Sequence, residues 1–353
     1  MTSEPLEYHL DEGADPVVPS SRGRGVVIDE HFPDPTAGMV VHRMLAMAAR
    51  TFLLNDLGLG ADDGLRHGSS VDALGIALGP RPLWNQSTAK SLRGTERRAD
   101  HLERVHQSRV AMRRIRSNLR TFRLLVDPGW GTALRAELAW YGNELGRSRD
   151  LDLLAEVIRD CGPDVLETDE VVRLLAVVDW RHDEVEAQIA ADQAGPRRLR
   201  LGEQMMLLWE GPEFKPKASG PATEVLPALL RRSWRDLRGA GRTARKNPSD
   251  VNLHQLRIRL KDLRYGSETL ALVEGGRARK TAKAAERLQS QLGDLHDAVF
   301  SIGWLEALAR EQPDLADAAE RLVAHQREVA AESCKGWKRG LKDVERRWRS
   351  WQG

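Results

Sequence analysis

Between His106 and Phe122 the chain reads HQSRVAMRRIRSNLRTF, and 148 residues after that first histidine it reads HQLRIRLKDLRY, from His254 to Tyr265. At the 100° step of an α-helix, His106, Arg109, Arg113, Arg116 and Arg120 fall in one stripe about 80° wide. Met112, Ile115, Leu119 and Phe122 form a different stripe, able to bury while the cations stay outside. The second copy aligns His254, Arg257, Lys261 and Arg264, with Leu256, Leu260 and Leu263 beside them. Further on, LGRSRD at 145–150 is answered by LGDLHD at 292–297, an offset of 147. Two motifs in one order with one spacing imply a tandem duplication of helical units. The fold class that follows is all-α: two tandem, pseudo-two-fold-related helical bundles, built as four-helix-bundle repeats with long helices.

The rest of the chain agrees with that class. Aromatics make up 5% of the 353 residues and hydrophobic residues 41%, so the core must be mostly Leu, Val and Ala, which suits helices. Periodicity predicts helices near 36–57, 101–126, 131–160, 168–193 and 196–210, then 222–246, 250–273, 278–312, 314–334 and 336–350. DPGWG, CGPD and AGPRR punctuate the first group. Residues 1–35 mix Pro, Gly, Ser and acids and read as a flexible acidic leader. Within the first repeat, 36–210, the Gly- and Ser-rich stretch 59–100 reads as an insertion with one short helix near Val71–Leu78. GPEFKPKASGP, 211–221, has three prolines and two glycines and reads as the linker to a second repeat, 222–353.

The formal net charge of +2 averages an acidic first forty residues, net −6, with a basic remainder of +8. Such a body attracts anions without naming one. Cys161 and Cys334 show no CxxC or Cys/His ligand spacing, and the N-terminus lacks signal-peptide form; both fit a reducing cytoplasm. No apolar run is read as approaching the ~20 residues of a membrane span.

From Arg104 to Arg123 there are seven arginines and no acid, so the alternating ion pairs that commonly stabilise a charged helix face are missing from this one. The stripe reads as a site for an external polyanion, because guanidinium forks donate paired hydrogen bonds to phosphate and stay charged at physiological pH. A single basic helix would more readily be a solvated face, or one neutralised by Asp150, Asp152 or neighbouring glutamates; duplication with the histidine in register favours the site. For the histidines, a structural hydrogen bond and ligand contact stand side by side. Arg147, Arg149 and His296 of the LG motifs join the candidates. Asp150 and Asp297 read as groups orienting an Arg or His, since an acid facing phosphate is repelled. The tail cations from Lys335 to Arg349 read as a solvated face, and Trp337, Trp348 and Trp351 as packing residues.

In HQSRVAMRRIRSNLRTF, LGRSRDLD at 145–152, LHQLRIRLKDLRY at 253–265 and LGDLHDA at 292–298 the chain resembles the CHAD family of conserved-histidine α-helical domains, over about 37–350. That resemblance implies two four-helix bundles about a pseudo-two-fold axis, a basic surface or channel between them, and binding of inorganic polyphosphate, often at cytoplasmic granules. Carried over by residue are His106 and His254 with Arg109, Arg113, Arg116, Arg257, Lys261 and Arg264. Two departures stand out: Glu268 occupies the counterpart of Arg120, and 59–100 is inserted. Many such domains are fused to a hydrolytic triphosphate-tunnel domain, but this chain has no ExExK signature, and its leader is too short for an eight-stranded barrel.

The expected function is therefore non-enzymatic polyphosphate binding and granule association, with polyphosphate and granule proteins as partners, no cofactor, no metal, no catalytic residue and no membrane. Neither GxxxxGK[ST] nor a clustered acid motif is present to support phosphate processing. A phosphotransfer histidine is disfavoured by Val110 and Ile258 one turn on. Nucleic acid is the main alternative, weakened by the scarcity of aromatic stacking platforms among the arginines.

Overall fold

The computed structural model describes residues 34–55 and 96–352. Most of the acidic leader, residues 59–95 of the expected insertion with its short helix, and the Leu57–Gly58 helix end lie outside the described residues. The architecture is all-α, with no strand among the described residues. The helices are α1 (Ala37–Asn55), α2 (Glu96–Thr121), α3 (Pro128–Val165), α4 (Thr168–Gln193), α5 (Pro196–Glu210), α6 (Ala222–Lys246), α7 (Asp250–Glu274), α8 (Gly276–Glu311), α9 (Ala316–Ser333) and α10 (Trp337–Gln352).

Two boundaries differ from expectation. The helix expected at 101 starts at Glu96, so residues 96–100 belong to α2 rather than to the insertion. In α3, CGPD does not break the helix near Asp160; it runs through Pro163 to Val165. A proline there removes one hydrogen bond only a residue or two before the end, where the helix has little left to lose. Gly162 supports the passage, because a Cβ on it would come within 3.0 Å of Val171 on the next helix.

The chain divides into two compact units that are not contiguous in sequence. The first comprises 1–142, 192–229 and 272–275, and the second 143–191, 230–271 and 276–353. That division does not follow the expected boundary at 211–221, since the whole proline-rich segment falls inside the first unit.

In the first unit, α1 is the central helix. Val41, Leu45, Ala49 and Phe52 are buried against α2 and α5. Its length and mean hydropathy of 1.2 do meet the minimum for a membrane span, contrary to the sequence reading, but 67% of it is buried, as in a core helix. Across one end runs 211–221, which is ordered by specific bonds. Lys215 N–H donates to the Leu125 carbonyl at 2.8 Å, Ala37 N–H to Gly220 at 2.9 Å and Ala222 N–H to Pro35 at 3.0 Å. Pro216–Ser219 forms a 3-10 turn with Ala218 buried. Prolines that stop a helix here leave the backbone free to pair with neighbouring segments, so the stretch packs instead of acting as a tether. Gly211 makes its first turn at φ 125°, where a side chain is strained, with the His42 ring 3.3 Å from the position of a Cβ.

The second unit has a leucine-rich core drawn from Leu154, Leu174, Leu256, Leu260, Leu263, Leu292 and Leu305. Helices α9 and α10 both pack on α8. α10 also meets α6, where Trp234 and Trp348 stack at 5.0 Å with their planes 14° apart.

Candidate polyanion site

The two copies of the basic motif lie on α2 in the first unit and α7 in the second. On α2, His106, Arg109, Arg113, Arg116 and Arg120 are all half-buried, while Met112, Ile115, Leu119 and Phe122 are buried. The two stripes separate as their spacing requires. Arg109 Nη1 reaches the Gly142 carbonyl at 3.5 Å, the long limit of a hydrogen bond. Ser108, within the same motif, donates to the Asn55 carbonyl at the end of α1 at 3.0 Å, which anchors α2 against the core helix.

On α7, Leu253, Leu256, Leu260 and Leu263 point inward, and His254, Arg257, Lys261 and Arg264 form the half-buried row. Here the second-copy motifs converge. The rings of His254 and His296 lie 4.7 Å apart, inclined at 40°, which joins HQLR on α7 to LGDLHD on α8. The glycine of that second motif has a role in this contact. Arg257 lies flat against α8 where a Cβ on Gly293 would stand 3.3 Å from its Nη2 and 3.6 Å from its Nε.

The cluster is strongly cationic. Burial, then the charges of Lys261 and Arg257, lower the His254 pKa. His296 is the more exposed of the two; partial burial, followed by the charges of Arg257, His254 and Lys261, brings its pKa down to about 4. Both imidazoles therefore favour the neutral form, each with one donor and one acceptor nitrogen. His254 Nδ1 is buried without a hydrogen-bond partner, although one is usual for a buried imidazole nitrogen. The carboxyl of Asp297 adjoins the same cations. Burial raises its pKa, the charges of Arg257 and Arg149 pull it down, Asp294 and Asp150 push it up, and the rise prevails.

The remaining candidates are committed to acids. Arg264 donates through Nε to Glu268 at 2.9 Å and through Nη2 to Glu286 at 2.5 Å. The Glu268 that breaks the symmetry with Arg120 is thus the ion-pair partner of Arg264. Arg149 forms a forked pair with Glu156, at 3.1 and 3.4 Å. Burial alone would lower its pKa, but the Glu156 hydrogen bond and the charges of Glu156, Asp152 and Asp297 raise it. Arg147 is exposed and pairs with Glu144 at 3.3 Å. Sequence reasoning did not single out His182, which lies 3.4 Å from Asp152 and 3.4 Å from Ser148. Only the neighbouring carboxylates of the LGRSRDLD run hinted at such a partner.

Two solved structures share the fold of this chain. The crystal structure of the CHAD domain from the plant Ricinus communis is 20% identical, with a TM-score of 0.64, covering 94% of this chain and 97% of that one. PptA from Streptomyces chartreusis is 18% identical, with a TM-score of 0.58, covering 89% and 99%. No curated protein matches the chain. The family model of the CHAD domain matches residues 86–306, which takes in both basic helices and both LG motifs, and the chain belongs to the CHAD domain family.

Proposed function

We propose that this protein binds inorganic polyphosphate without processing it, through the basic row of α2 and the cluster on α7 and α8, and that it does so in the cytoplasm in association with polyphosphate granules. The observation that carries the reading is the convergence of His254, His296, Arg257 and Lys261, from two separate motifs, into one cluster where burial and then the neighbouring positive charges depress both imidazoles. A polyanion relieves that repulsion, because its oxygens accept from the guanidinium, the ammonium and the imidazole N–H groups together. The α2 row offers cations on successive helical turns, about 5.4 Å apart, to which successive phosphates of one chain can attach. Each further attachment costs no second loss of translational freedom, so a chain binds far more tightly than its separate phosphates.

Isothermal titration of the full chain with long-chain polyphosphate and with orthophosphate tests the reading. Tight, salt-sensitive binding of the polymer and weak binding of the monomer are expected. Phosphate release or chain shortening in the presence of magnesium, well above a metal-free blank, would replace the binding reading with an enzymatic one.

A further inference from the structure

A second basic surface lies in the second unit, away from the histidine cluster in sequence. Residues 230–246 of α6 hold seven cations and one acid, Asp236. Arg231, Arg235, Arg238, Arg242 and Lys246 are exposed, and none makes an ion pair among the described residues. They share a stripe about 80° wide and about 22 Å long. Trp234, Leu237 and Ala244 are buried beside it.

The partner helix α10 repeats the pattern. Lys338, Lys342, Arg346 and Arg349 are exposed and share a stripe about 80° wide, while Trp337, Leu341, Val344 and Trp348 are buried. The two helices are packed together by the Trp234–Trp348 stack, by Leu341 against Gly241 and by an Arg245–Glu345 ion pair at 3.0 Å. The acids present are overcommitted: Asp343 alone is shared by Arg287, Arg346 and Arg347.

We infer that the α6–α10 helix pair is a docking surface for the sugar–phosphate backbone of double-stranded nucleic acid. Charge density favours this partner. Duplex DNA carries one charge per about 1.7 Å, so a length of about 22 Å presents about a dozen phosphates, matching two rows of cations on neighbouring helices. An anionic membrane fits less well, since none of the exposed large hydrophobic residues among those described lies on α6 or α10 to insert between lipids. Single strands also fit less well, because Trp234, Trp337 and Trp348 are buried and the half-buried Trp351 is packed edge-on against Trp348, 4.7 Å away, which leaves little platform for base stacking. Contacts of this kind read no sequence, so binding is general to duplexes and steeply weakened by salt.

This inference does not rest on polyphosphate binding at the histidine cluster, and the test separates the two. Fluorescence anisotropy with a labelled random-sequence DNA duplex at low salt is measured for the full chain and for two sets of variants. Arg231→Gln, Arg235→Gln, Arg238→Gln and Arg242→Gln together should weaken duplex binding at least about tenfold, with a shallower salt slope. Arg257→Gln with Lys261→Gln should change it less than about twofold. Should the fourfold variant lose helicity by circular dichroism, Lys338→Gln with Lys342→Gln is expected to weaken binding several-fold on an intact fold. The inference is overturned by absence of duplex binding in the parent chain, by loss of binding on changing Arg257 and Lys261 instead, or by binding to vesicles of anionic phospholipid in place of the duplex.

Discussion

Lys261 and Arg264 stand three residues apart on one face of α7, and their neighbours give them different work. Arg264 is mostly covered and holds Glu268 and Glu286, whose charges raise its pKa against the lowering effect of burial. Arg264→Met should cost roughly 2–4 kcal/mol in denaturant unfolding, because it leaves two partly buried carboxylates facing each other, and should change polyphosphate affinity little. Lys261→Met should instead reduce polyphosphate affinity several-fold. The histidines give a pH signature. His254 and His296 have folded-state pKa values below that of an unfolded histidine, near 6.5, so the unfolded chain binds more protons as pH falls, and stability is lost from about pH 6.5 down towards about 4. A bound polyanion raises both values, so polyphosphate affinity should increase between pH 7 and pH 5, and His254→Gln with His296→Gln should flatten that slope in titrations at fixed salt. The separation of cation and leucine stripes was legible from spacing alone. That Arg264 and Arg149 are occupied by acids was not, because Glu286 reaches Arg264 from α8 and Glu156 reaches Arg149 from two turns further along α3.

Helix type and extent were legible almost throughout, because runs of Leu and Ala at helical spacing leave little ambiguity. The errors lie at prolines and glycines. Pro163 sits too near the end of α3 to stop it, and the 211–221 segment is ordered by backbone bonds to Leu125, Ala37 and Pro35 that a local reading cannot foresee. Gly211→Ala should therefore destabilise the fold by about 1–3 kcal/mol, since φ 125° with ψ 127° suits glycine alone; an unchanged midpoint in urea would return the segment to the status of a tether. The α6–α10 contact belongs to the same scale. Trp348 is 1% exposed and stacked on Trp234, so Trp348→Ala should cost about 3–5 kcal/mol and loosen α10, seen as faster amide exchange along that helix.

At the scale of the molecule, membership of the CHAD domain family was legible from four short motifs, whereas the division into two interleaved units was not, because it depends on which parts of α3 and α6 pack with which neighbours. The basic charge of the body is likewise visible in composition, but its distribution is not: α2 and α7 carry it beside histidines, and α6 and α10 carry it on open faces. Polyphosphate binding belongs to the former. Isothermal titration of long-chain polyphosphate into the parent chain and into a variant carrying Arg257→Gln and Lys261→Gln, with orthophosphate as the control, tests this assignment. Tight binding by the parent chain is expected, with at least about tenfold weaker binding by the variant at a preserved unfolding midpoint and little binding of orthophosphate by either. Equal affinity per phosphate for polymer and monomer, or a variant that binds polyphosphate as tightly as the parent, would contradict it.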